Sequence, residues 1–484
     1  MSSKENDTSE DNVRMAVKHI KICSHVLVTA GAGFSADSGL PVYKDIAKVE
    51  AYEKMDVDYA DLCETRWIRE DPDVFYGFWG SCFNSYRKTE PHRGYGILKR
   101  WRDLKGSDNV FVYTSNVDRH FLRAGFPENY VYEIHGNVEE WQCSQKCKES
   151  KIWRLSEDVR FEIDTLTMRC KRVVPDASIL RCEYCGESTR PSVLMFRDDL
   201  WIKRTKREQR YVDWEAQVES QLKRRDEKST SLLVVLEIGC GERVPHVRRE
   251  SEMVVEDILR TQIGHMLLEP LSSDEEKPPY VCCILLRKDH EDDWCFLLER
   301  RDDDAEIASG QLTCFGGKVE EDEDSRHALF RELKEELDWS PHSISPIVDF
   351  YVEKRYVARF YVACAPSEAE AKESGRDAMW IKAKNLFSKS NCLNQWHRCV
   401  FRAWSQGLTR VNYEENHDDD DDDDDGFVVP EYIRDPRAIL IRVNPVEYEY
   451  EHKNHGSHHA ICGIHTLSVR DTGLSFLERC EKAY

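Results

Sequence analysis

Apolar and polar positions keep two different rhythms along this chain, and the change falls between residues 252 and 279. In the first stretch, "HVLVTA", "NVFVYT", "YVYEI" and "SLLVVLEIG" are short runs that end in glycine or polar residues. Unbroken apolar runs of this kind predict strands buried on both faces. From about Val49 to Leu104 the spacing is helical, with Phe75, Phe78, Trp79 and Phe83 set for a core. Strands alternating with helices, and polar residues at the strands' C-terminal ends, predict an α/β fold on a parallel sheet. After the linker-like "EPLSSDEEKPPY" come "YVCCILL", "WCFLLER" and "IVDFYVEKRYVARFYVACAP". These predict hairpin-like antiparallel strands with one charged helix, closing near Trp404. One further buried-strand run, "AILIRVNP", stands alone after an acidic stretch and needs a sheet to enter.

Length allows two or three domains in 484 residues. The net charge of −22 includes the eight aspartates Asp418 to Asp425, and the rest of the chain remains acidic. That balance argues against a protein that coats nucleic acid or an anionic membrane. No apolar run is long enough to span a bilayer. The opening "MSSKENDTSEDN" reads as neither secretory signal nor transit peptide, so an intracellular protein, cytoplasmic or nuclear, is expected.

Eighteen cysteines then need sorting. Cys23, Cys282, Cys283 and Cys364 sit in apolar strands, where a thiol acts as a small hydrophobe. Cys143 and Cys147, followed by Cys182 and Cys185 in "CEYCG", have the spacing of a four-thiolate structural zinc site. Cys170 is an alternative ligand.

The turn "GAGFSADSGLP" follows the first strand, and glycines there let backbone N–H groups approach a phosphate. "TSNVD" and "IHG" end the next two strands, where ligands of open α/β sheets gather. With the four cysteines, and with "RPSVLMF" after them, these segments resemble the sirtuin family over about residues 13–255. "EIGCGERVPHVRRESE" is most similar to a bacterial sirtuin-like branch.

The resemblance implies an NAD-dependent deacylase acting on an acyl-lysine protein or peptide. It implies that Gly31, Ala32, Gly33 and Ser35 hold the pyrophosphate and ribose, and that Asn116 and Asp118 hold the nicotinamide end. His135 becomes the general base. Tyr43, Lys44, Ser115, Gly239 and Cys240 become further nucleotide contacts. Tyr43-Lys44 stand where the family has Phe-Arg, Ser115 replaces Gln, Phe121 replaces His, and Arg197-Asp198 replace the Gly-Glu of the substrate-facing segment.

In the second stretch, Gly317, Glu323, Arg331-Glu332 and Glu335-Glu336 follow one another. On a helix, Glu332, Glu335 and Glu336 share a face, an arrangement that repels unless a divalent cation is bound. The spacing G-x5-E-x7-R-E-x2-E-E resembles the box of Nudix hydrolases, over about residues 278–406. Glu332, Glu335 and Glu336 are then expected to bind Mg²⁺ or Mn²⁺, with Glu335 and Glu336 catalytic and Arg331 braced on Glu323. Asp338 and Trp339 depart from the usual Gly-aliphatic end of the box.

The expected fold class is α/β, a sirtuin-type Rossmann-like parallel sheet with a small zinc-ribbon module, interrupted by an inserted α/β Nudix domain. The expected organisation is a disordered tail 1–12, a first sirtuin part 13–258 (zinc module about 140–190), a Nudix domain 270–410, an acidic loop 411–427 and a sirtuin C-terminal part 428–484. "AILIRVNP" would return to the first sheet and bring Asn444 to the adenosine side. A strand added to the Nudix domain is the alternative. Deacylation yielding O-acyl-ADP-ribose, then Nudix cleavage to AMP, is the expected function. Protein ADP-ribosyl transfer, NAD hydrolysis, and a nucleotide sensor with one inactive site are the alternatives. The histidines between His452 and His465 are expected in loop and strand rather than at a metal.

Overall fold

A computed structural model describes residues 4–42, 49–147, 151–223, 232–241, 245–263, 277–289, 293–305, 308–339, 341, 344–365, 377–388, 391–406, 408–414, 429–430, 436–444 and 466–483. The chain divides into two compact units. One comprises Met1–Ser251, Leu440–His452 and Leu467–Tyr484; the other comprises Glu252–Ile439 and Lys453–Thr466.

The first unit is built on a six-stranded sheet. Its spatial order is Thr466–Arg470, Ala438–Asn444, Leu233–Ile238, His25–Ala30, Val110–Thr114, Val131–Glu133. Renumbered along the chain, this is the 3-2-1-4-5-6 order of dinucleotide-binding α/β sheets, which reverses between the first and fourth strands. His25–Ala30 runs parallel to both neighbours, with Val28 opposite Val112 on one side and Leu236 on the other. Every residue of His25–Ala30 and of Leu233–Ile238 is buried, so continuous apolar sequence is what this position demands.

Two charges interrupt these apolar strands, and they meet. Glu237, wholly buried, receives Arg442 in a fork, Nε to Oε1 at 2.7 Å and a terminal nitrogen to Oε2 at 3.1 Å. Arg248, on helix His246–Ile263, approaches the same carboxylate at 3.4 Å. The isolated strand Ala438–Asn444 is thereby matched to Leu233–Ile238 by the one acid and the one base available in the two runs.

Helix Pro72–Lys88 buries Phe75, Phe78, Trp79 and Phe83 against Trp141 and Phe161 of the cysteine-bearing module. That module pairs Gly136–Cys143 with Trp153–Arg154 and with Thr189–Val193, and pairs Arg160–Ile163 with Cys170–Val174.

The second unit holds an eight-stranded mixed sheet. Tyr280–Lys288 is antiparallel to Trp294–Arg300 and parallel to Arg355–Cys364. One face packs Ala328, Leu329, Leu333 and Leu337 of helix Ser325–Leu337, and the other packs Val400, Phe401 and Trp404 of helix Gln395–Ser405.

Three boundaries differ from expectation. A helix spans Lys4–Ile22, entering the segment 1–12 read as a tail; acids early in that run suit a helix N-terminus, and Asn12 bonds Ser468 at 2.8 Å. Helix His246–Ile263 continues past 258, because Val254, Val255, Ile258 and Leu259 form one buried face. Arg410–Tyr413 is a strand parallel to Ser345–Val352, so the sheet takes residues assigned to the acidic loop. Residues 415–428 and the histidines from 452 to 465 lie outside the described residues.

Candidate functional site

At the point where strand order reverses, two loops interlock. Gly31 N–H donates to Ile238 O and Gly33 N–H to Gly239 O, both at 3.0 Å. A Cβ on Gly31 would lie 2.5 Å from Gly239 O, and one on Gly33 2.9 Å from Gly239 Cα. Gly239 itself has φ +63°, and its Cβ would meet Phe34 N at 2.2 Å. Glycine is needed here for loop to pack on loop, and two N–H groups expected to face a phosphate already have carbonyl partners. Ala32 opens the short helix Ala32–Ala36. Cys240 is buried, its thiol turned back to Thr29 O and Ile238 O.

Beside this lock lies a buried polar set drawn from two strand ends. Ser35 Oγ donates to Asp118 Oδ2 at 2.5 Å and accepts from Asn116 Nδ2 at 3.0 Å. Asn116 Nδ2 also reaches Gly31 O at 2.9 Å. Asp118 Oδ1 accepts the His120 N–H at 2.8 Å. Thr114 Oγ1 donates to Ala30 O at 2.8 Å, and the Ser115 N–H reaches the same oxygen at 3.3 Å. Asn116 Oδ1 is buried with no hydrogen-bond partner among the described residues. A donor from a bound ligand or water would remove that cost, so the set fits a nucleotide carrying amide and hydroxyl groups.

His135 follows strand Val131–Glu133, with its ring near the Ser115 backbone. Burial, and then the neighbouring His246, push its pKa down to about 4, while the Ser115 bond opposes them. The ring is therefore neutral at working pH and able to accept a proton. Gly136, at φ +75°, lets the chain turn where a Cβ would strike Ser192 O at 2.0 Å. Two residues upstream, burial raises the pKa of Glu133 to about 7 against the pull of Arg207. Neither His246 nor the Glu133–Arg207 pair was legible in the sequence, because no spacing rule links positions 135 and 246, or 133 and 207.

The segment after Thr189–Val193 is held by a buried ion pair. Asp198 does not face outward: it is buried, with Oδ1 and Oδ2 on Arg190 at 2.8 and 2.7 Å. Arg197 is exposed at φ +53°. Leu194 N–H bonds His135 O at 2.9 Å, which ties this segment to the base. Tyr43 and Lys44 lie outside the described residues, as does the side chain of Asn444.

Cys143, Cys147, Cys182 and Cys185 converge, with all four sulfurs within 4.8 Å of one another. The separations 3.6 Å (Cys143–Cys185) and 3.8 Å (Cys147–Cys182) match the ~3.8 Å edge of a tetrahedron with Zn–S of ~2.3 Å. The donor set fits structural zinc. Cys170 is turned to Arg172 O and stands apart.

In the second unit, Arg331 donates to Glu323 Oε1 at 2.6 Å, to Lys318 O at 3.0 Å and to Glu332 Oε1 at 2.8 Å. Glu336 is buried and accepts the Gly316 N–H at 3.3 Å, and a Cβ on Gly317 would meet the Glu332 carboxylate at 2.3 Å. Glu335 is more exposed, 3.5 Å from Arg331. The three carboxylates share the helix face but are not gathered as the cysteines are, which form the one such group among the described residues. Their all-oxygen donor set suits Mg²⁺ or Mn²⁺.

Comparison with known proteins gives both halves a kinship. The "Sir2 family" profile matches residues 31–216 and the "NUDIX domain" profile residues 276–404. The chain is 30% identical over 191 residues to an "NAD-dependent protein deacylase 2" of Corynebacterium efficiens, covering 40% of this chain and 68% of that protein. It is 29% identical over 192 residues to an "NAD-dependent protein deacetylase 2" of Caldanaerobacter subterraneus, with the same coverage. A "Probable bifunctional ADP-ribose hydrolase/ADP-ribosyltransferase" of Fusarium oxysporum is 25% identical over 265 residues, 54% of this chain and 42% of that one.

Proposed function

Since this chain belongs to the Sir2 family and carries a Nudix domain, we propose that it is a bifunctional enzyme that consumes NAD and then cleaves the nucleotide product. The observation that carries the first activity is the buried Ser35–Asn116–Asp118 set at the strand-order switch, with Asn116 Oδ1 buried and lacking a donor among the described residues. NAD would supply the ribose carbon that loses nicotinamide and takes the acyl oxygen of acyl-lysine. Asn116 and Asp118 would orient the nicotinamide end, and the buried Asp118 carboxylate would favour the positive charge that develops at the ribose. His135, kept neutral by burial, would take the ribose hydroxyl proton. With one water consumed, the products would be nicotinamide, free lysine and O-acyl-ADP-ribose. The four cysteines would hold zinc away from the chemistry, since four thiolates leave no open position.

In the second unit, Glu332, Glu335 and Glu336 would hold a divalent cation against the pyrophosphate, and Arg331 would hold the glycine loop to the helix. We read the Nudix region as an insertion into the Sir2 portion, which resumes with strand Ala438–Asn444. The place of Ala438–Asn444 beside Leu233–Ile238 supports this. Incubation with NAD, acyl-peptide and Mg²⁺ should give AMP, and Glu335→Gln should leave O-acyl-ADP-ribose standing. Unchanged AMP from that variant would sink the coupling.

A second reading, protein ADP-ribosyl transfer or NAD hydrolysis at the same site, is favoured by the name of the Fusarium relative. Protein-bound label from NAD labelled in its ADP-ribose part, with no peptide deacylated, would establish transfer. Free ADP-ribose alone would establish hydrolysis.

A further inference from the structure

The base proposed for the reaction has a second histidine beside it. The rings of His135 and His246 lie 5.8 Å apart between centroids and 86° to one another. They come from opposite ends of the unit's sequence: His135 from the end of Val131–Glu133, His246 from the first residue of helix His246–Ile263. His135 is half-buried, whereas His246 is exposed.

We propose that His246 is a positioning and proton-relay residue for His135, passing to solvent the proton that His135 takes from substrate. This rests on the deacylase reading given above. A His135 that takes the substrate proton must give it up again before the next turnover. The spacing excludes a direct ring-to-ring hydrogen bond in this arrangement but leaves room for one bridging water. The proton moves from the ribose hydroxyl to His135, from His135 through water to His246, and from His246 to bulk solvent. No other bond changes and no electron is transferred in the relay.

Arg204 packs on Gly136, the residue after His135, and is held by Glu140 at 2.6 Å. On the helix of His246, Arg248 turns to Glu237 and Glu250 to Tyr211, and Arg249 is exposed. Burial and His246 both hold the His135 pKa down, so a proton left there is costly and its prompt removal favours turnover.

The test uses the full chain carrying His246→Asn, with histidine ring signals followed by NMR titration and nicotinamide release measured against pH. The relay requires the His135 midpoint to rise when His246 is lost. It also requires kcat to fall about tenfold with KM for NAD unchanged, and added imidazole to restore part of the rate. An unmoved His135 midpoint overturns the proposal, as does a lowered rate that imidazole leaves unrestored. If the wild-type chain releases no nicotinamide from NAD, the deacylase reading and the relay that rests on it fall together. The titration still distinguishes the cases, because a coupled pair in an inactive enzyme faults only the function assigned.

Discussion

Replacing Arg442 by leucine should destabilise the first unit by about 2–3 kcal/mol. Removing one partner from a buried ion pair costs roughly 3–5 kcal/mol, because the other charge stays buried and uncompensated. Glu237 has no exposed side-chain surface, so the upper part of that range would apply if Arg442 were its sole partner. Two facts reduce it: Arg442 keeps 19% of its side-chain surface in water, and Arg248 remains at 3.4 Å. For a unit of this size the loss corresponds to a fall in Tm of about 5–10 °C. Urea unfolding followed by tryptophan fluorescence would measure it, with Glu237→Leu and the double variant completing the cycle. The double variant should be destabilised by well under the sum of the singles, since two leucines in an otherwise apolar pair of strands leave only Arg248 deprived of this carboxylate. A single Arg442→Leu change with no effect, or a double variant as unstable as the sum of the singles, would refute this account of how the strand is matched.

Gly239→Ala combines a left-handed backbone with a Cβ 2.2 Å from Phe34 N, and should cost about 3 kcal/mol and abolish NAD binding measured by calorimetry. Cys185→Ser should lower bound zinc, measured by atomic absorption, and loosen the module around Trp141 without touching the Nudix carboxylates. For His135, burial favours the neutral ring in the folded state, so the unfolded chain gains a proton first as pH falls. Stability should therefore drop from pH about 6.5 toward about 4, and His135→Gln should flatten that slope by close to one proton per molecule, read from urea midpoints across pH.

Legibility in the sequence followed the range of the forces involved. Strand and helix classes came through because burial on both faces leaves no choice but unbroken apolar runs, as in Leu233–Ile238. The four cysteines announced themselves because a metal fixes both residue type and spacing. The Arg190–Asp198 pair was not legible, since its two members are brought together only by the folded turn. Gly31 and Gly33 were read as making room for a phosphate. The chain they make room for is Gly239, some two hundred residues away. The helix through Ile263 was hidden by its charged outer face, and the His135–His246 pair by the distance between its members in sequence.

The return of Ala438–Asn444 to Leu233–Ile238 also sets a timetable for synthesis. About two hundred residues separate the two strands, a length a ribosome needs about 10–40 s to add. For that interval a wholly buried type of strand exists with one edge unpaired, the kind of surface on which nascent chains aggregate. Glu237 is the single charge on that edge, and until Arg442 emerges it acts as a deterrent to wrong partners rather than as half of a bond. A neutral residue there would strand Arg442 in the folded protein and also leave the growing one exposed, so the cost of losing it should appear in both stability and soluble yield.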